Sequence, residues 1–313
     1  MSALLFPGQG SQVVGMGSEL YNNFDLVKKI FKQADEKLSY PITKIILEGP
    51  EDQLQLTKNT QPSILTVSYS IFRVLKDEFN FNFNSFKYFA GHSLGEYSAL
   101  VCSEALNFED SLYLLHERGK AMQEAVPLGK GSMIAVLGTK INEINSLIEN
   151  MNDKKGICEI ANDNADGQVI VSGNKENIDS LQLILRDKKI KSIPLKVSAP
   201  FHCSLMKPAA DTMKEKIHNT KFNNSLFDII NNVTAKPERN PAIIKKLLVE
   251  QIFSTVKWRE SIINMSLAGV SNFVEIGPGK ALTGMVKRTI KNVNCFSINS
   301  IIDIKNLKNE FKK

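Results

Sequence analysis

Apolar residues recur along this chain in two rhythms. Short runs of about five, such as Ala3-Leu4-Leu5-Phe6, Phe86-Lys87-Tyr88-Phe89-Ala90 and Phe273-Val274-Glu275-Ile276, read as buried strands. Longer stretches with apolar residues three and four apart read as helices: 20–38, 57–78, 108–125, 242–253 and 258–267. The stretch 57–78 predicts one long, mostly buried helix with Pro62 in its first turn, where proline is tolerated. Further strands are expected at 227–230 and 295–298, with a helix between 279 and 291. Strands alternating with helices predict a mostly parallel sheet covered on both faces.

The rhythm changes between 127 and 194. Strands at 133–137, 157–161, 168–172 and 190–194 enclose helices at 142–151 and 176–187. That order, β-α-β-β-α-β, is the split βαβ or ferredoxin-like unit. The expected organisation is therefore a discontinuous α/β-hydrolase-like domain, 1–126 and 199–313, with a ferredoxin-like domain, 127–198, inserted in it.

Composition narrows the class. The chain has 313 residues, 42% hydrophobic, which supports a large core without staples. Net charge is +6, too small an excess for a dedicated nucleic-acid binder. No apolar run is long enough to cross a bilayer, and the start of the chain reads as a strand rather than a targeting segment. The four cysteines have no metal spacing and are expected as free thiols; no metal site is expected.

One stretch carries chemistry. Gly91-His92-Ser93-Leu94-Gly95 lies between an expected strand and an expected helix, the context of a nucleophile elbow. Glycines suit so sharp a turn, and the serine meets free N–H groups at the helix start. A serine nucleophile needs a base. Of four histidines, His92 is badly placed beside the serine, and His116 and His218 fall within amphipathic helices. His202 follows the nucleophile late in the chain and is the best candidate, with a packing role as the alternative. No acid stands where a third member would be expected, so an amide or backbone carbonyl is left to orient the imidazole. Arg118 is open to two readings, a solvated surface charge or a bidentate carboxylate ligand.

Phe6-Pro7-Gly8-Gln9-Gly10-Ser11-Gln12, Gln61-Pro62, the elbow with Glu96-Tyr97, Arg118-Gly119, Ala199-Pro200-Phe201-His202, Asn231-Asn232-Val233, Gln251 with Val256-Lys257-Trp258, and Glu275-Ile276-Gly277-Pro278-Gly279 occur in one order. In this the chain resembles the malonyl-CoA:acyl carrier protein transacylases of type II fatty acid synthesis, from about residue 2 to about residue 300. The resemblance implies ping-pong acyl transfer without a cofactor. Malonyl-CoA would be the donor and the 4'-phosphopantetheine thiol of an acidic, transiently bound carrier protein the acceptor. It implies Ser93 as nucleophile, His202 as base, and the N–H groups of Gln9 and Leu94 as oxyanion hole. Gln251 would orient the histidine through its carbonyl, and Arg118 would hold the malonyl carboxylate. Phe201, His92, Asn162 and Asn164 would face the substrate, Phe201 fitting the malonyl-selective form.

Ser254-Thr255 departs from the Asn-Pro of many members and raises the question of how the loop after Gln251 is held. Two lysine-rich stretches, Lys188/Lys189/Lys191 and Lys287/Arg288/Lys291, are candidate docking patches for an acidic carrier. The shared elbow leaves a hydrolase as the competing class, a non-catalytic carrier-binding protein as another, and a polyketide acyltransferase as a third. A monomer is expected, in a bacterial cytoplasm or, for a plastid-encoded protein, the stroma; the Asn/Lys/Ile-rich composition suits an AT-rich genome.

Overall fold

The computed structural model describes residues 1–151, 156–197 and 199–311. Ser198, at the expected join between the two domains, lies outside the described residues, as do Lys312 and Lys313.

Two sheets organise the chain. The first takes β1 (Ser2–Phe6), β2 (Phe86–Gly91), β7 (Asp228–Ile230), β8 (Pro237–Glu238), β9 (Asn272–Ile276) and β10 (Asn294–Ile298), in the order β10-β9-β1-β2-β7-β8. All its pairings are parallel except that of β7 with the short edge strand β8. The central strand β1 is buried on both faces: Leu4 and Phe6 join one apolar cluster, Ala3 and Leu5 the other. That explains its unbroken apolar run.

The second sheet takes β3 (Gly131–Leu137), β4 (Cys158–Ala165), β5 (Gln168–Asn174) and β6 (Lys191–Pro194), in the order β4-β5-β3-β6, with every pairing antiparallel. Ile134 and Val136 face a core shared with the helices Ile141–Glu149 and Lys175–Asp187. Met133 and Ala135, on the opposite face, join the core of the larger sheet. The alternation along β3 thus binds the two sheets together.

The segment following helix Pro241–Gln251 adds a second tie. Val256 forms a parallel bridge with Asn162, and the Thr255 hydroxyl donates to the Ile160 carbonyl at 2.6 Å. The Ser254-Thr255 departure therefore anchors this loop to the small sheet, and Gln251 keeps its contacts. Arg259 adds an ion pair to Asp163 at 2.9 Å.

The helical pattern over 20–38 resolves into two helices, Ser18–Asn23 and Asp25–Leu38, divided at the extended residue Phe24. One expectation needs correction. Pro62 lies inside helix Thr57–Arg73, beyond its first turn. A proline there leaves the carbonyl four residues earlier without its usual donor. That carbonyl, of Lys58, is met by His116 Nδ1 at 3.2 Å. Gly119 lets the two helices approach this closely: a Cβ there would lie 2.6 Å from Lys58 Cα. The C-terminal helix Ile301–Glu310 buries Ile304 and Leu307, and Phe311 stacks on Phe86. No helix among the described residues is long and apolar enough to cross a membrane.

Candidate active site

Four loops leave the C-terminal ends of parallel strands toward one cleft: Pro7–Gln12 after β1, the elbow after β2, Asn231-Asn232 after β7 and Gly277-Pro278-Gly279 after β9. Parallel α/β sheets bind ligands at this edge.

The elbow is built by exclusion. A Cβ on Gly91 would fall 1.8 Å from the Gly95 carbonyl carbon, and one on Gly95 would fall 2.2 Å from the Phe6 oxygen. Only glycine fits either position. Between them Ser93 is held at φ 53°, in the left-handed region. His202 sits at φ 57°. Each such residue costs about 1–3 kcal/mol, and such strain gathers at functional sites.

Ser93 Oγ lies 2.8 Å from His202 Nε2. His202 Nδ1 lies 2.9 Å from the backbone carbonyl of Gln251. The carbonyl only accepts, so Nδ1 carries the proton and Nε2 is left to accept from the serine hydroxyl. Burial, then the neighbouring Arg118 guanidinium, pull the imidazole down to about 3, against the Gln251 carbonyl. It is therefore neutral and able to take a proton.

Arg118 is almost wholly buried on helix Phe108–Glu124. Nη1 donates to Gln61 Oε1 at 2.7 Å; Nη2 donates to Gln251 Oε1 at 2.8 Å and to Ser93 Oγ at 3.1 Å. Among the described residues its Nε has no hydrogen-bond partner. The guanidinium remains charged despite burial, so an unused buried donor stands beside the serine. Among the described residues, no protein acceptor receives the backbone N–H of Gln9 or Leu94, and both residues line the cleft.

The remaining expected residues converge on the same cleft, of about 240 Å³: Gln61, His92, Asn162, Asn164, Phe201 and the apolar Met133, Ile170 and Met285 line it. His92 Nε2 meets Asn164 Oδ1 at 2.7 Å, and its ring packs edge-on against Trp258. It is thus a packed bridge to the small sheet rather than a second base. Cys203, next to His202, is buried, and burial pushes its thiol up to about 11. A larger cavity, about 760 Å³ between helices Lys207–Asn219 and Pro241–Gln251, holds none of these residues.

Sequence reasoning assigned no role to Glu96, Asn231 or Asn232, although each lay inside a quoted motif. Asn232 Oδ1 accepts the Ser93 N–H at 2.7 Å, and its Nδ2 donates to the Gly91 carbonyl at 2.7 Å. Glu275, fully buried at the end of β9, accepts from the Leu282 and Thr283 N–H groups. It thereby fixes the start of helix Ala281–Thr289, whose Met285 lines the cleft.

An acyl transferase domain model matches residues 3–312. The chain is 39% identical to the malonyl CoA-acyl carrier protein transacylase of Bacillus subtilis (strain 168), over 95% of this chain and 92% of the relative. Its fold is similar to an acyl-carrier-protein-S-malonyltransferase from Bartonella henselae, with a TM-score of 0.96 and 38% identity, covering 100% of this chain and 99% of that one. It is also similar in shape to a malonyl-transacylase solved with its type II PKS acyl-carrier protein, with a TM-score of 0.94, 35% identity and 99% of each chain covered.

Proposed function

The chain belongs to the acyl transferase domain family, and from that premise we propose that it moves the malonyl group of malonyl-CoA to the phosphopantetheine thiol of acyl carrier protein through an ester on Ser93. The observation that carries this reading is the charged, buried Arg118 with Nη2 3.1 Å from Ser93 Oγ. A simple hydrolase has no use for a guanidinium there. A malonyl carboxylate would take its free Nε together with Nη2.

The steps follow from the geometry. His202 Nε2 takes the Ser93 proton while Oγ attacks the thioester carbon. The N–H groups of Gln9 and Leu94 receive the oxyanion. As the tetrahedral adduct collapses, the CoA sulfur leaves with the proton from His202. The carrier thiol then gives its proton to the same nitrogen, its sulfur attacks the ester, and Ser93 Oγ departs reprotonated. No cofactor is required. An acetyl group leaves Arg118 without its anionic partner, which disfavours acetyl-CoA. Phe201, buried against the cleft, would crowd an α-branched acyl group.

The larger sheet is read as an α/β-hydrolase-like domain, 1–126 and 199–313, because its elbow joins a parallel strand to a helix. The smaller sheet is read as a ferredoxin-like insertion, 127–198, on its strand order. Of the two lysine patches, Lys287/Arg288/Lys291 is favoured for the acidic carrier: Met285, on the same helix as Lys287 and Arg288, lines the cleft. Lys188, Lys189 and Lys191 lie at the end of β6 away from cleft residues Leu195 and Val197. We read the protein as a monomer of the bacterial cytoplasm or plastid stroma.

The test is mass spectrometry after mixing with malonyl-CoA, then with holo carrier protein. A malonyl adduct on the Ser93 peptide, absent in Ser93→Ala, followed by malonyl on the carrier thiol, is expected. The variant should lose at least about 10³-fold in rate. Free malonate as the main product would replace this reading with a hydrolase; no adduct would leave a carrier-binding protein. Fatty-acid and polyketide carriers assayed side by side rank the two acceptors.

A further inference from the structure

Glu96 is fully buried in the first turn of helix Gly95–Cys102. Its Oε1 accepts from Asn231 Nδ2 at 2.6 Å, and its Oε2 accepts from Asn232 N at 3.1 Å and Gln251 Nε2 at 2.8 Å. Among the described residues every partner is a donor, so only a group that accepts at both oxygens satisfies the site. Burial raises the carboxyl; those hydrogen bonds and the Arg118 charge act against burial.

The Gln251 amide lies between two opposite charges. Its Nε2 donates to Glu96 and to the Ser93 carbonyl, and its Oε1 accepts from Arg118. Reversing the amide would set nitrogen against guanidinium and oxygen against carboxylate. We propose that Glu96 is a positioning residue for acyl selection: by fixing the Gln251 amide it aims that oxygen at Arg118 Nη2, leaving the buried Nε without a protein partner for the substrate carboxylate. This rests on the reading of Arg118 as the carboxylate clamp. It divides the work of Gln251: the backbone carbonyl serves His202, and the side chain serves Arg118.

Glu96→Gln keeps the shape and places an amide nitrogen among three donors. The assay is single-turnover acylation of Ser93 by malonyl-CoA and by acetyl-CoA, with thermal melting to establish folding. The expected result is a KM for malonyl-CoA raised about tenfold or more, with kcat changed less, and a falling malonyl/acetyl ratio. In Glu96→Gln/Gln251→Glu the hydrogen bond is re-formed in reverse, and a carboxylate now occupies Arg118. Melting should then recover in part, because the introduced carboxylate faces the Ser93 carbonyl that the Gln251 amide served, while the malonyl KM stays high. An unchanged malonyl/acetyl ratio in Glu96→Gln, or a malonyl KM restored in the double variant, overturns the proposal. If Glu96→Gln does not fold, Glu96→Asp keeps the charge one methylene short of Gln251. Selective malonyl loss in it supports the proposal, and equal loss of both substrates overturns it. Arg118→Ala separates the two levels. If it leaves the ratio intact, the clamp reading fails; if it collapses the ratio and Glu96→Gln does not, only the role of Glu96 fails.

Discussion

The wall of the cleft that follows the parallel strands carries Ser93, His92, Arg118 and His202, whereas the wall on the antiparallel sheet carries Met133, Asn162, Asn164 and Ile170. Titratable groups stand on one side; neutral amides and apolar side chains stand on the other. The reason is geometric. The ends of parallel strands and the helix starts beside them leave backbone donors unpaired, where an elbow and an oxyanion hole can form. Antiparallel strands satisfy their own ladder and offer only side chains. The contrast assigns bond making and acyl selection to the first wall and the remaining placement of the substrate to the second.

Arg118→Ala tests the first wall hardest. Loss of the guanidinium should lower malonyl/acetyl selectivity by about 10²–10⁴, since a site made for a charged partner discriminates strongly. Competition between the two thioesters, read from the mass of the acyl-enzyme, measures it. An unaltered ratio would move selection to the amides of the second wall and end the contrast.

His202 gives the next largest effect, in pH dependence. Its folded value of about 3 lies below the ordinary 6.5, so between these values the unfolded chain binds the proton and the native site does not. Stability from this group is complete above pH 6.5 and declines as pH falls toward 3, by at most about 1.4 kcal/mol per pH unit. Glu96, whose carboxyl burial raises, tilts the other way. Both slopes exist in wild type, and His202→Asn removes only the first. Denaturant melts at pH 4, 5, 6 and 7 should therefore show a shallower acid decline in the variant; parallel curves would mean that the imidazole is protonated in the native cleft.

Much of this site was legible because glycine and proline constrain the backbone locally. The clashes that a Cβ would cause at Gly91 and Gly95 announce the elbow from sequence. Glu96 was silent because its partners Asn231, Asn232 and Gln251 lie 135 or more residues away. Gln251 orients His202 through its backbone, which any residue type could do, so its position was legible only from resemblance. Pro62 misled for a related reason: local rules place it in a first turn, and the fold tolerates it deeper because His116 meets the Lys58 carbonyl.

The second wall should respond more weakly. Asn164→Ala removes the 2.7 Å bond to His92 and leaves Ser93, His202 and Arg118 in place. The KM for malonyl-CoA should rise by about tenfold or less, with the malonyl/acetyl ratio unchanged, as expected for loss of one hydrogen bond in uniform binding. A fall in kcat approaching the loss of about 10³-fold expected for Ser93→Ala would show that His92 takes part in proton transfer, and the division between the walls would fail.

The smallest effect concerns how the walls are joined. Thr255→Val keeps the branched shape and deletes the hydroxyl that donates to the Ile160 carbonyl. Stability should drop by about 1–3 kcal/mol, because the half-buried carbonyl loses a partner. Serine acylation should stay within about twofold of wild type. The Val256–Asn162 bridge and the Arg259–Asp163 ion pair remain to hold the same join. If acylation falls tenfold while stability stays within that range, the loop after Gln251 has shifted. The carbonyl that orients His202 would then depend on the small sheet, making the second wall part of the catalytic geometry rather than a surface that only places the substrate.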